Sequence, residues 1–223
     1  MDRIPIVELL DSDAGTAAEV SASLADLRRI NRWFGGAGTT REMVWAVARH
    51  TGATRLSLLE VAAGSGDVPG VVCRDLAARG IELPITLLDR AATHLRCANG
   101  TALVVGDALA LPFPDDSFDL VGCCLFAHHL SPEQLACFVT EGLRVCRRAV
   151  LINDLIRHPV HLAAVYAGLP LYRSRLTRHD APASVRQAYT LAEMNEILRK
   201  TPAARIEASR YYLFRMGVIA WKR

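Results

Sequence analysis

The sequence predicts an α/β fold: a doubly wound, mostly parallel sheet whose last two strands form an antiparallel hairpin. Three observations carry this expectation. Short apolar runs of strand length alternate with helical patterns between residues 56 and 152. Several of these runs close on an acidic residue or open into a loop of small residues. Two further apolar runs then lie close together at the C-terminus, with little chain between them.

The elements follow in order. Thr16 to Trp33 sets Val20, Leu24, Leu27 and Ile30 on one helical stripe, which Gly35-Gly36 ends. Thr39-Thr40 is read as the cap of a second helix, running through Met43, Val44 and Val47 to about His50. Leu56 to Val61 is the first strand, and it passes through a glycine loop into a helix ending near Gly80. Pro84 to Asp89 is the second strand, with a short helix expected from Ala91 to Cys97. Ala102 to Val105 is the third, and Phe118 to Leu125 the fourth, after a turn holding Pro112 and Pro114. A helix from Pro132 to about Cys146 leads to a fifth strand, Ala149 to Ile152. Between Asp154 and Thr190 an insertion begins with a helix, Pro159 to Leu171, and continues as a connection rich in arginine and histidine. A further helix precedes the hairpin of Ile206 to Ser209 and Tyr212 to Trp221, placed at the sheet edge.

Composition narrows the function classes. Of 223 residues, 51% are hydrophobic and 22% charged, enough for a substantial core and unlike a disordered chain. A net charge of +3 is too small to point to nucleic acid. The six cysteines sit inside apolar runs without a Cys-x-x-Cys pair, which fits buried thiols in a reducing compartment and gives no reason to expect a metal. The first thirteen residues are acidic (Asp2, Glu8, Asp11, Asp13) and lack the basic start and apolar centre of a secretory leader. No window approaches a spanning helix, so a cytoplasmic protein is expected.

The informative stretch is Leu58-Leu-Glu-Val-Ala-Ala-Gly-Ser-Gly-Asp67, where a strand reaches an acid and a small-residue loop opens the next helix. Small side chains there let a ligand approach backbone N–H groups beside a helix N-terminus. Asp89 closes the second strand, where a carboxylate can accept both hydroxyls of a ribose. Asp107 follows the third, where it can meet an exocyclic amine. All three acids fall at the carboxyl ends of expected parallel strands, the edge along which open α/β sheets bind ligands.

These segments resemble class I S-adenosylmethionine-dependent methyltransferases from about Thr39 to the C-terminus, including members of the quinone-biosynthesis type. Glu60-Val-Ala-Ala-Gly-Ser-Gly66 is similar to the family's first motif, with Ala62 in place of its first glycine. Gly106-Asp-Ala-Leu-Ala-Leu-Pro-Phe-Pro-Asp-Asp-Ser-Phe-Asp119 resembles its adenine-binding segment, and Leu125-Phe-Ala-His-His-Leu130 the run after strand four. The resemblance implies a Rossmann-like sheet of seven strands. It also implies S-adenosylmethionine as donor, held by Glu60, Ala62, Gly64, Gly66, Asp89, Arg90, Asp107, Ala108 and Leu125. One domain is expected: N-terminal helices (1–52), a donor-binding core (53–154), an acceptor lid (155–190), and a C-terminal helix with the hairpin (191–223).

The acceptor side is less legible. His128 and His129 follow the fourth strand and are candidate bases for a phenolic acceptor, against the plainer reading of one as a cap and one as a packed ring. Asn153 and Asp154 end the fifth strand and are candidates for orienting an acceptor, or equally for turn chemistry. In the lid, Arg175, Arg178 and His179 are candidates to clamp an anionic acceptor, with a solvated basic loop as the alternative. Arg32 is a candidate partner for the donor's carboxylate.

The expected reaction is O- or C-methylation of a phenolic, polyketide-like or quinone-like small molecule, without a metal. RNA or protein methylation ranks second, since the Asn/Asp-Pro-Pro-aromatic motif of base-amine enzymes is replaced by Leu125-Phe-Ala-His. A silent donor-binding regulator is a further reading, as fold alone does not establish activity. A nicotinamide dehydrogenase ranks last, because Gly64-Ser-Gly66 lacks the Gly-x-Gly-x-x-Gly spacing.

Overall fold

The computed structural model describes residues 1–10, 15–93, 95 and 101–223. Seven strands form one sheet in the order β3-β2-β1-β4-β5-β7-β6. The first five are β1 (Leu58–Val61), β2 (Ile85–Asp89), β3 (Ala102–Val105), β4 (Phe118–Cys124) and β5 (Cys146–Leu155), all mutually parallel. β7 (Arg215–Trp221) inserts antiparallel between β5 and β6 (Arg205–Arg210), which makes the expected edge hairpin. This is the Rossmann-like sheet of seven strands that the resemblance implies.

The period-two alternation of the strands sorts side chains into two cores. Leu58, Leu120, Leu151 and Ile219 face α2 (Gly36–Thr51) and α3 (Asp67–Ala77). Leu59, Val121, Val150, Ile152 and Val218 face the other way, with Phe138 of α4 (Pro132–Val145) and Met194. Because both faces are covered, the central strands read as unbroken apolar runs. Helix starts follow their caps. Thr16, Ser131 and Thr190 each close a capping box with Glu19, Gln134 and Glu193, and these fix α1 (Ala17–Trp33), α4 and α7 (Leu191–Leu198).

Four expectations need correction. The second helix begins at Gly36, not at Thr39-Thr40, because Gly35 with φ of 75° turns the chain directly from α1 into α2. Thr39 and Thr40 are therefore buried inside α2. β5 is longer than expected at both ends, and its pairing with β7 extends it through Leu155. The basic connection after α5 (Pro159–Gly168) is itself a helix, α6 (Arg175–Gln187), capped by Ser174. The helix expected over 91–97 is not seen at Ala91–Thr93, where Ala92 and Thr93 form a turn, and residues 94, 96 and 97 lie outside the described residues. Among the described residues, no helix is long and apolar enough to cross a membrane.

Candidate functional site

A cavity of about 640 Å³ opens at the carboxyl ends of β1, β2 and β4. It lies where the strand order reverses between β1 and β4, the place at which open α/β sheets take ligands. Two ends of it differ in chemistry.

The first end is built from the loops after β1, β2 and β3. The chain leaves β1 through three left-handed residues, Ala62 (φ 52°), Gly64 (φ 52°) and Gly66 (φ 68°). Ala62 thus keeps the backbone a glycine would adopt, at a cost of about 1 kcal/mol. A Cβ on Gly64 would meet nothing within 4 Å, so the backbone there is open to a ligand. A Cβ on Gly66 would lie 2.5 Å from Leu87 Cδ1, so close packing of α3 on β2 requires the glycine. Asp89 joins these loops. Its Oδ2 accepts from the Gly64 N–H at 2.8 Å and its Oδ1 from Ala91 N–H at 3.0 Å. Asp107 Oδ1 accepts from Leu109 N–H at 2.9 Å, shaping the turn that carries Ala108.

Glu60 stands behind the glycine loop, 2% exposed. It sits opposite Gly122 in the register of β1 and β4, and a Cβ at Gly122 would come within 2.8 Å of Glu60 Oε2. That oxygen has no hydrogen-bond partner among the described residues. Burial pushes the Glu60 carboxyl up to about 8. All the residues expected to hold the donor line this cavity except Gly66, which caps α3 just behind the loop. Leu125, also left-handed at φ 56°, separates this end from the second.

The second end is closed by the turn after β4, by α6 and by residues 1–10. His128 is 2% exposed, in the 3-10 turn Ala127–His129. Its Nδ1 lies 2.6 Å from Asp154 Oδ1, and its backbone N–H donates to Asp154 Oδ2 at 2.9 Å. Burial works against a charge on His128, but the Asp154 carboxylate outweighs it and, with Glu8, lifts the imidazole to about 10. His128 is therefore an imidazolium at neutral pH, with no lone pair to take a proton. His129 is more open and lies against Phe126, with its Nε2 4.0 Å from Glu8 Oε2. His161 lies flat on Phe214, with ring centres 4.8 Å apart, and burial holds its imidazole below the usual value.

Several expected acceptor contacts are not brought into the cavity. Asn153 is fully buried away from it, with its Nδ2 donating to Gly36 O and Thr40 Oγ1 and its Oδ1 accepting from Arg215. Asp154 orients His128 from beneath. Arg175, Arg178 and His179 are exposed, turned to Glu19, to the Tyr172 carbonyl and to Asp180. The helical period explains this. α6 sends Thr177, Asp180, Ala181 and Ser184 into the cavity, which leaves 175, 178 and 179 on the opposite face. Arg32 is exposed for the same reason, and Arg28 is the α1 arginine at the cavity, 3.6 Å from Asp67.

Sequence reasoning missed the role of the N-terminal segment. Glu8 Oε1 accepts from Ser184 Oγ at 2.6 Å and Gln187 Nε2 at 2.7 Å, which seats the carboxylate over the two histidines. Asp180 accepts from the N–H groups of Leu9 and Leu10, and Arg3 donates to the carbonyls of Gln187, His128 and Leu130. The acids of this segment were visible in the sequence, but nothing local indicated what they would face.

Residues 59–152 match the family described as a methyltransferase domain. No curated protein matches the chain. Among solved structures, the chain is similar to the plantazolicin methyltransferase BpumL in complex with SAH, at 14% identity and a TM-score of 0.70, covering 97% of this chain and 95% of that one. It is similar to the magnesium protoporphyrin IX methyltransferase of Synechocystis PCC 6803 with bound SAH, at 14% identity and 0.53, covering 86% of each. It also resembles a protein assigned as a methyltransferase of an antibiotic biosynthesis pathway in Anabaena variabilis ATCC 29413, at 18% identity and 0.55. That match covers 76% of this chain, which spans 64% of the length of the Anabaena protein. At these identities the likeness is one of fold.

Proposed function

We propose that this chain, whose residues 59–152 match a methyltransferase domain, transfers a methyl group from S-adenosylmethionine to a small-molecule acceptor. One observation carries the reading. Carboxylates at the ends of β1, β2 and β3 (Glu60, Asp89 and Asp107) line one cavity around a loop of left-handed small residues. The chemistry of this donor set fits S-adenosylmethionine. Open space at Gly64 admits its methionine part, and the orphaned Glu60 oxygen suits its ammonium, Asp89 its ribose hydroxyls and Asp107 its exocyclic amine. Arg90, Ala108 and Leu125 complete the walls. The SAH-bound methyltransferases of the same fold support the same assignment.

Bound, the donor supplies a methyl group on a sulfonium, and transfer leaves the thioether S-adenosylhomocysteine. The protein's part is alignment and exclusion of water. The second end of the cavity takes the acceptor. Its walls carry Phe126, Leu130, Val165, Tyr172 and Val185, an apolar slot with a few polar groups, as an aromatic or polyketide-like molecule requires. A phenolic, polyketide-like or quinone-like compound methylated on oxygen or carbon is the acceptor class we favour. For a hydroxyl acceptor, the proton leaves toward the Glu8–His129 side, since His128 is already protonated between Asp154 and Glu8.

Calorimetric titration with S-adenosylmethionine and S-adenosylhomocysteine, with NADH as control, tests the donor. Micromolar binding of the sulfur ligands alone supports the assignment. Absence of binding by both removes it and moves a silent regulatory role to first place.

A further inference from the structure

We propose that Glu8, His128 and His129 form a binding site for a divalent transition-metal ion of the zinc class, which was not expected from the sequence. Each of the three residues offers one ligand atom, and these atoms lie within 4.8 Å of one another. His128 Nε2 is 3.5 Å from Glu8 Oε1, and His129 Nε2 is 4.0 Å from Glu8 Oε2. Donors bound at zinc distances in a tetrahedral shell are roughly 3.4 Å apart, so small side-chain movements close the site.

Two features of the site beyond proximity point to an ion. His128 Nε2 is buried and lies 3.5 Å from Glu8 Oε1; the ion would take the place of the proton that the imidazolium holds there, so binding releases a proton and tightens as pH rises. The opposite nitrogen is fixed. Asp154 holds Nδ1 at 2.6 Å and the His128 backbone N–H at 2.9 Å, the carboxylate–histidine arrangement that orients a metal-binding imidazole. The remaining ligands are held as well. Ser184 and Gln187 position the Glu8 carboxylate, and the His129 ring lies between Phe126 and His128.

Two imidazoles and one carboxylate suit zinc and its neighbours, whereas magnesium and calcium favour oxygen ligands. All three ligands line the cavity, so a fourth position would face the acceptor end. Binding of the ion stands apart from the methyl-transfer reading. Its role, polarising an acceptor oxygen at that open position, rests on that reading.

The test uses untagged, chelator-stripped full-length protein, titrated with Zn²⁺ in the calorimeter and with Co²⁺ in the visible spectrometer. We expect one ion per chain. Glu8→Gln and His129→Ala should each weaken Zn²⁺ binding by at least about tenfold, and Asp154→Asn by a similar factor through His128. Melting curves establish that each variant is folded. On the wild type, Co²⁺ should give d–d bands of a nitrogen and oxygen site without a thiolate charge-transfer band. No binding, binding unchanged in both ligand variants, or a thiolate band placing the ion on the cysteines overturns the proposal. Because the readouts are binding and spectra, a failed donor assignment would leave this result intact.

Discussion

Asp89 Oδ2 accepts the backbone N–H of Gly64 at 2.8 Å, so the carboxylate that closes β2 also holds the loop that leaves β1. Two of its lone pairs serve the loops, through Gly64 and Ala91, and the others remain for a ligand's hydroxyls. Asp107 makes the corresponding local bond to Leu109. Asp89→Ala and Asp107→Ala should each weaken S-adenosylhomocysteine binding by at least about tenfold, or roughly 1.4 kcal/mol. Asp89→Ala should also lower the melting temperature, because two backbone donors lose their acceptor. Calorimetry and thermal denaturation separate the two effects, and unchanged affinity in both variants would sink the donor pocket.

Ala62 provides a test of opposite sign. Its φ of 52° strains an alanine but not a glycine. Ala62→Gly should leave stability unchanged or raise it by up to about 1 kcal/mol, the relief being partly offset by added freedom in the unfolded chain. Gly66→Ala should cost about 2 kcal/mol or more, since it meets both a φ of 68° and Leu87. Urea denaturation of both variants checks the pair. Loss of stability in Ala62→Gly would mean that the methyl group packs more usefully than the backbone suffers.

What the sequence made legible follows from locality. Glu60, Gly64, Asp89 and Asp107 lie at strand ends, where an acid or a glycine beside an apolar run has few structural roles. The alternation of strands and helices and the C-terminal hairpin were readable for the same reason. α6 was not, because Arg175–Gln187 is polar in composition and carries Pro182 in its interior. Without a helix there, nothing could tell that Asp180 faces inward and Arg178 outward. Glu8 is harder still. Residues 1–10 have no period, and the side chain is placed by partners more than 170 residues away, Ser184 and Gln187.

Glu60 should give the protein a pH signature. Its ordinary value is 4.5 and burial lifts it to about 8 in the folded state. Between those values the folded protein holds a proton that the unfolded chain has lost, so stability falls as pH rises. The contribution is intact below about pH 4.5 and gone above about pH 8, a swing of at most a few kcal/mol. Glu60→Gln should flatten the decline in melting temperature between pH 5 and 8.5. Parallel curves for wild type and variant would show that Glu60 is solvated or paired in solution. Saturating S-adenosylmethionine should flatten the wild-type curve too, if its ammonium meets this carboxylate.

The approach to α6 supplies a final contrast between a buried and an exposed charge. Asp26, 1% exposed on α1, accepts from the backbone N–H groups of Arg173 and Ser174 and from Arg29. It fixes the segment from which α6 turns Thr177 and Asp180 toward the cavity. Asp26→Ala leaves two backbone donors without an acceptor and should cost about 3 kcal/mol. It should also raise the KM for the acceptor more than it lowers kcat, because the wall is loosened while the donor end is untouched. Arg175 sits on the outer face of the same helix, paired with Glu19 near solvent. Arg175→Ala should leave melting temperature and acceptor KM within experimental error, as exposed pairs contribute little. A strong acceptor defect in Arg175→Ala would return the outer arginines to the binding surface and would require α6 to rotate or unwind when the acceptor binds.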